Sequence, residues 1–198
     1  MLNAAKISVA AFDPASSEAV ALAAVNQTTP NHDTIITAIE ADWTFTRLAA
    51  WRNVSIKHDV GGNRKTIEAD DCDVGEITAS VTIIPSLEGE WLEVEDLDGL
   101  SILTGLAVQT SGTSPDQIKR LGYNVQSRDI PYIIVKVEGC PDADGEFNVY
   151  YIVKASLDGE LVQSFVNLSN ADDVTGANVS LLGAKGGLFV MAKNRVEA

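Results

Sequence analysis

Trp51 to Pro85, WRNVSIKHDVGGNRKTIEADDCDVGEITASVTIIP, is the stretch whose reading decides the fold. Val54 and Ile56 alternate with polar residues, Gly61-Gly62-Asn63 follows, and Ile67 and Ala69 alternate again. A glycine pair between two segments of period two reads as a hairpin turn, because such a turn needs positive φ while its strands need alternate faces. An acidic knot comes next, then an apolar run from Val81 to Ile84 that Pro85 closes. The stretch speaks for a β-protein and brings no catalytic constellation with it.

Downstream, the chain from Pro131 onward is β. Tyr132 to Val137 makes one strand, GCPDADGE a turn, and Phe147 to Leu157 the next strand. Asp158-Gly159 is a strong hairpin signal before a returning strand, Glu160 to Leu168. Gly183 to Gly187 reads as a turn that precedes a last strand, Leu188 to Arg195. Between these regions, residues 88–105 resemble a helix, since Trp91, Val94 and Leu97 recur every third position and Gly99 and Gly105 suit its end. Ser114-Pro115-Asp116-Gln117 matches a capping box, so a short connector helix is expected through Lys119 and Arg120 to Gly122.

Upstream, residues 1–33 form either an extended arm or a short helix capped by Ser16 or Ser17 and running through Ala24. Gln27 to Asp33 is a loop by composition, and Thr34 to Ile39, TIITAI, is a strand by its β-branched residues. Trp43, Phe45, Leu48 and Trp51 suit either a strand or a helical turn. No repeat or linker divides the chain. The expectation is one domain over residues 1–198, mainly β, with an antiparallel sandwich or barrel-like core, one flanking helix, a connector helix and an extended loop or arm.

Charge narrows the function. With 14 Lys+Arg against 28 Asp+Glu the net charge is -14, which excludes binding nucleic acid or an anionic membrane by neutralising phosphates. Arg47, Arg52, Lys57, Arg64 and Lys65 gather on the first strand and its turn, and no cation or histidine follows until Lys119. Twelve acids lie in that interval, a pattern that marks a solvated face or one that meets cations from the hairpin itself or from a neighbouring copy. Cys72 and Cys140 lack metal-ligand spacing, the first residues make a poor secretion signal, and no run approaches a membrane span.

Other chemical readings fail on their spacing. Asp71-x-Asp73-x-Gly75 and Asp142-x-Asp144-Gly145 each resemble the start of a calcium loop, but the twelfth positions are Thr82 and Val153 where a glutamate is needed. His58 and Asp59 are neighbours on a strand and point to opposite faces, so they do not form a base and its orienting carboxylate. Gly183-Ala184-Lys185-Gly186-Gly187 has neither the spacing nor the following helix of a phosphate loop. No catalytic, cofactor-binding or metal-ligating residue is assigned, and no cofactor.

The order of features then resembles a known family. A strand, a glycine-tipped cationic loop, Thr66-Ile67-Glu68-Ala69-Asp70-Asp71 ending in Val74-Gly75-Glu76, a strand and the acidic EWLEVEDLDGLSILTG are together similar to the tail tube (major tail) proteins of long-tailed bacteriophages. The resemblance runs over residues 43–105 and more loosely over 131–195, while the first 40 residues match nothing in it. It implies a structural virion protein without enzymatic activity, made in the host cytoplasm. Six copies would form a ring, and rings would stack into a tube that carries DNA as transient, non-specific cargo, with other tail proteins as partners.

In that picture the loop Asp59, Val60, Gly61, Gly62, Asn63, Arg64 and Lys65 reaches an adjacent ring, although it is short for that task. Glu68, Asp70, Asp71, Asp73 and Glu76 are the expected lumen or inter-ring charges. The competing expectations are a capsid decoration or tail-terminator protein, and a calcium- or carbohydrate-binding β-sandwich module.

Overall fold

The computed structural model describes residues 5–28, 31–48, 51–67, 75–91, 97–113, 117–121, 129–158 and 177–196. The described strands are β1 (Lys6–Ala11), β2 (Thr46–Leu48), β3 (Trp51–Ile67), β4 (Gly75–Trp91), β5 (Val108–Ser111), β6 (Ile118–Leu121), β7 (Ile133–Glu138), β8 (Glu146–Leu157) and β9 (Ala177–Val196). The described helices are α1 (Ser17–Thr28), α2 (His32–Asp42) and α3 (Leu97–Thr104). A curled, half-barrel antiparallel sheet of seven strands runs in the order β2-β1-β7-β8-β9-β4-β3, and β5 and β6 form a separate hairpin. The mainly β expectation holds.

Alternation along the strands gives the sheet two apolar faces. Ile7, Val9, Ile133, Val135, Val137, Ile152 and Leu181 join Leu100 and Leu103 of α3 in one core. On the opposite face Ala10, Ile134, Val149, Tyr151, Val153 and Val190 join Leu22 of α1 and Ile35, Ile36 and Ile39 of α2. Helices therefore cover both faces of the central strands. Each buried Ile or Leu contributes about 1.5–3 kcal/mol of transfer free energy.

Several local expectations are corrected. Thr34 to Ile39 is helical: the Asn31 side chain caps α2 by accepting from the Asp33 and Thr34 backbone N–H groups at 3.2 and 3.3 Å. Ile35, Ile36 and Ile39 then share one buried face at helical spacing, and that burial outweighs their β propensity. Ser16 caps α1 as expected, accepting from Ala19 N at 3.1 Å, but the helix continues to Thr28 into the segment read as loop. Lys6–Ala11, read as arm or helix, is an interior strand between β2 and β7.

Of the expected helix over residues 88–105, Leu97–Thr104 is helical, Glu88 to Trp91 belong to β4, residues 92–96 lie outside the described residues, and Gly99 lies inside α3. Gly105 does stop it, at φ +69°, with its N–H on Ser101 O at 2.8 Å. Where the connector helix was expected, Ile118–Leu121 is instead β6, paired with β5; residues 114–116 and Gly122 lie outside the described residues. Both that hairpin and α3 are tied by the Lys119–Asp98 ion pair.

The DADG turn behaves as read. Asp142 Oδ1 accepts from Asp144 N and Glu146 N, each at 2.9 Å, so that carboxylate closes a loop between β7 and β8. Asp158 N donates to Ser180 O at 2.9 Å, while Gly159 and the expected returning strand fall outside the described residues. Gly183 to Gly187 lie within β9, not before it. Val153 pairs with Leu188 and Ala155 with Gly183, so the intervening β9 residues loop out opposite Lys154 alone. Lys154 has φ +61°, donates to Lys185 O at 2.9 Å and lies 5.0 Å from the Tyr132 ring centroid.

A polar clamp holds α2 on the sheet. Arg195 donates to both Glu40 oxygens, at 2.7 and 3.1 Å, and the Tyr151 hydroxyl donates to Glu40 Oε1 at 2.5 Å. Lys136 stands 3.6 Å from the same oxygen. Burial alone would raise the Glu40 pKa, but hydrogen bonds from Arg195 and Tyr151 and the two cations together lower it. Burial, then the Glu40 carboxylate, push Tyr151 well above its ordinary value.

A lowered carboxylate pKa stabilises the fold above the ordinary value of 4.5 and ceases to do so as pH falls through the lowered one. Glu40→Gln is expected to cost about 1 kcal/mol at neutral pH, a figure kept small by the group's partial exposure. In urea unfolding series the gap between the two proteins should shrink below the ordinary carboxylate pKa. A gap constant down to strong acid would contradict the clamp.

Candidate functional site: a ribbon that leaves the sheet

β3 and β4 pair along their whole described length, from Trp51 opposite Trp91 to Ile67 opposite Gly75. The glycine pair is therefore not a turn. Gly61, Gly62 and Asn63 sit in β3 opposite Thr82, Val81 and Ser80, and a bulge follows between Asn63 and Arg64. Glycines in a strand commonly mark such local twisting. Residues 68–74, which join the two strands, lie outside the described residues.

Pro85 does not close β4 either, since the strand runs through it to Trp91. Its effect is on the next ladder. β4 pairs with β9 from Trp91 opposite Ala177 to Ser86 opposite Leu182, and stops there. Pro85 has no N–H to continue the ladder. Gly183, the next β9 residue, lies so close that a Cβ on it would stand 2.9 Å from Pro85 Cγ. Beyond this fork, among the described residues, β9 pairs only with β8 and β4 only with β3. Residues 58–67 and 75–84 form a two-stranded ribbon.

The base of the ribbon is fastened on both faces. On the core side the Trp51 and Trp91 rings stack at 6.3 Å and 12°. Gly89 makes room for them, because a Cβ there would be 3.0 Å from Trp51 Cε3. Both indole Nε1 atoms are buried without a hydrogen-bond partner in the described structure, a penalty offset by the burial and stacking of two large rings. On the outer side Arg52 forks onto Glu90, Nε to Oε2 and Nη2 to Oε1 both at 2.6 Å, and Lys57 pairs with Glu88. The hydrogen bonds from Arg52 lower the Glu90 pKa, and Glu90 raises that of Arg52. Asn53 takes φ +54° at the bulge between Arg52 and Ser55.

These pairs answer part of the charge pattern. Glu88, Glu90 and Asp98, within the cation-free interval, are met by Lys57, Arg52 and Lys119 from its two flanks in the same chain. A shallow hollow of about 440 Å³ opens beside them, lined by Asn53, Glu88, Glu90, Asp158, Asn178 and Ser180. Among the described residues no three His, Cys, Asp or Glu side chains gather where a metal ion would bind.

The residues expected to bridge copies, Asp59 to Lys65, are thus brought together as one run of β3, as strand and not loop. Arg64 and Lys65 lie opposite Thr78 and Ile77, and Glu76 lies in β4 opposite Thr66. Glu68, Asp70, Asp71 and Asp73 fall outside the described residues. Sequence reading missed the Trp51–Trp91 and Arg52–Glu90 pairs, though a signal existed. Folding the sequence about Asp71 places each residue of these pairs on its partner.

No protein-family model and no curated protein matches the chain. Among solved structures, it is similar to one in the PVC sheath–tube complex of an extracellular contractile injection system in its extended state. That match has 10% identity and a TM-score of 0.37, over 70% of this chain and 79% of the other. A second is the tube-terminating cap of the anti-feeding prophage, at 11% identity and a TM-score of 0.36, over 70% and 78%. A third is the tail of an empty GTA particle with C6 symmetry, at 11% and 0.36, over 76% and 90%. Likeness this distant carries no argument about function.

The fork makes its own prediction. Gly183→Ala is expected to lower stability by about 1–3 kcal/mol, as overpacking does, because Pro85 and its carbonyl oxygen leave no space for a methyl group. Chemical denaturation measures it, and an unchanged midpoint would mean that β4 and β9 do not meet so closely.

Proposed function

We propose that this chain is a structural protein whose copies assemble into stacked rings that form a hollow tail tube, without an enzymatic role. The observation that carries the reading is the β3–β4 ribbon. A two-stranded ribbon in water is marginal by itself and gains stability from a third strand or a packed face. In this fold its described part leaves the parent sheet at Pro85, so a neighbouring copy is the natural source of that support.

Charge agrees with this role. Arg52 and Lys57 pair with Glu90 and Glu88 at the base of the ribbon, and in the sequence Arg64 and Lys65 stand next to the acidic run Glu68 to Asp73. Opposite signs so close together in the sequence suit a contact repeated from ring to ring. A net charge of -14 would keep a lumen from gripping a DNA polyanion that passes through it. Hexameric symmetry and DNA passage are what the resemblance to tail tube proteins implies; the ribbon supports assembly.

Sedimentation velocity over a concentration series tests the proposal. The wild-type chain is expected to form large particles at high concentration. Reversing Arg64 and Lys65 to Glu should shorten them, most clearly below physiological salt, where screening is weak. A wild-type monomer at every concentration would overturn the assembly reading, and unaltered particle length in the variant would remove Arg64 and Lys65 from it.

A further inference from the structure

We propose that the buckle where β9 loops out opposite Lys154 is a docking point for a short acidic segment of another protein. A carboxylate of that segment would sit on Lys154 and Lys185, and a neighbouring apolar side chain would cover Tyr132 and Ile130. The inference goes beyond self-assembly and uses no residue of the ribbon.

Gly183-Ala184-Lys185-Gly186-Gly187 lacks the spacing of a phosphate loop, yet the fold brings it a second lysine from β8. Residues 184–187 have no ladder partner, and Gly187 lets them lie tight on β8. A Cβ there would stand 2.4 Å from Val153 O and 2.9 Å from Ala184 O. Lys154 takes φ +61°, a backbone conformation that residues with a side chain rarely hold. Its Nζ thereby donates to Lys185 O at 2.9 Å and lies 5.0 Å from the Tyr132 ring centroid. One buckle carries both cations.

Neither cation is committed within the described chain. Ion pairs engage Arg52, Lys57, Lys119, Lys136 and Arg195, whereas among the described residues neither Lys154 nor Lys185 meets a carboxylate. An ammonium has three N–H donors, and Lys185 O takes one of those on Lys154. The space beside that ammonium is open. A Cβ on Gly186, at φ +78°, would find Lys154 Nζ at 3.7 Å and, its chain neighbours apart, no other heavy atom within 4 Å. Lys185, Gly186 and Gly187 are all exposed.

Apolar surface adjoins the cations. Tyr132 is 37% and Ile130 49% exposed, although both are large and apolar. Ile130 precedes Pro131, which favours extended backbone, and in an extended chain residues two apart share a face. A carboxylate beside an apolar side chain satisfies both halves of the patch, the first through charge-assisted hydrogen bonds and the second through burial. A polyphosphate would gain nothing from Tyr132 and Ile130, and the net charge of -14 opposes its approach. The ribbon proposed for self-assembly leaves this patch unused, so its occupant is a different protein.

Fluorescence anisotropy with a labelled peptide in which aspartates flank a leucine tests the proposal on the whole chain. Saturable binding is expected, weakened roughly tenfold or more when asparagine replaces the aspartates or when the protein carries Lys154→Gln with Lys185→Gln. Lys185→Gln alone, at an exposed position, should weaken it in the same direction with an unchanged denaturation midpoint. Ile130→Ser should weaken the leucine peptide and leave its glycine version unaffected. Absence of saturation up to millimolar peptide, equal binding of the asparagine peptide, or indifference to the lysine variants would overturn the docking point. Displacement of the peptide by an equal concentration of inorganic phosphate would reduce it to an anion site and overturn the apolar half. Shorter particles from Lys185→Gln in sedimentation would place a second copy on the patch and overturn the different protein, whereas a chain that never assembles leaves the peptide result standing.

Discussion

The ladder between β4 and β9 ends at Pro85, and the rest of the architecture follows from that interruption. Below it, seven strands share one hydrogen-bonded sheet with helices on both faces. Above it the sheet divides, with β9 staying beside β8 and β4 leaving with β3. A missing N–H on one strand and the crowding of Gly183 on the other end the interior ladder, and beyond it, among the described residues, β4 and β9 are each paired on one side only.

The lower sheet is built to withstand such a division. Trp51 and Trp91 stack on its core face, and Arg52–Glu90 and Lys57–Glu88 tie the same two strands on the outer face. At the far side the Glu40, Tyr151 and Arg195 clamp fixes α2 over β8 and β9. The ion pairs near the surface contribute little energy each, but they orient long side chains and neutralise acids that would otherwise repel across the hairpin. In the proposed assembly, such ties at the base would lower the cost of ordering the ribbon against a neighbour.

Much of the fold was legible in the sequence. Strands β7 and β8, the Asp142 turn, the Ser16 cap and the Gly105 stop follow from local chemistry, and the structure has them where local chemistry puts them. Failures came where partners far along the chain decide. Isoleucines that favour strands form the buried face of α2, and a good capping box leads into β6 because β5 pairs with it. Gly61-Gly62 stays extended because β4 holds it so. β1 escaped notice although Ile7 and Val9 alternate, since alanine and serine around them bury little area. The charges of the ribbon were visible as a pattern, but which were already paired in the chain depended on where the hairpin folds.

Self-assembly through the ribbon and the divided sheet is the central claim, and direct imaging tests it best. Electron micrographs of the purified protein at high concentration are predicted to show rings stacked into hollow tubes of uniform width. A field of single globular particles, unchanged as concentration rises, would contradict it.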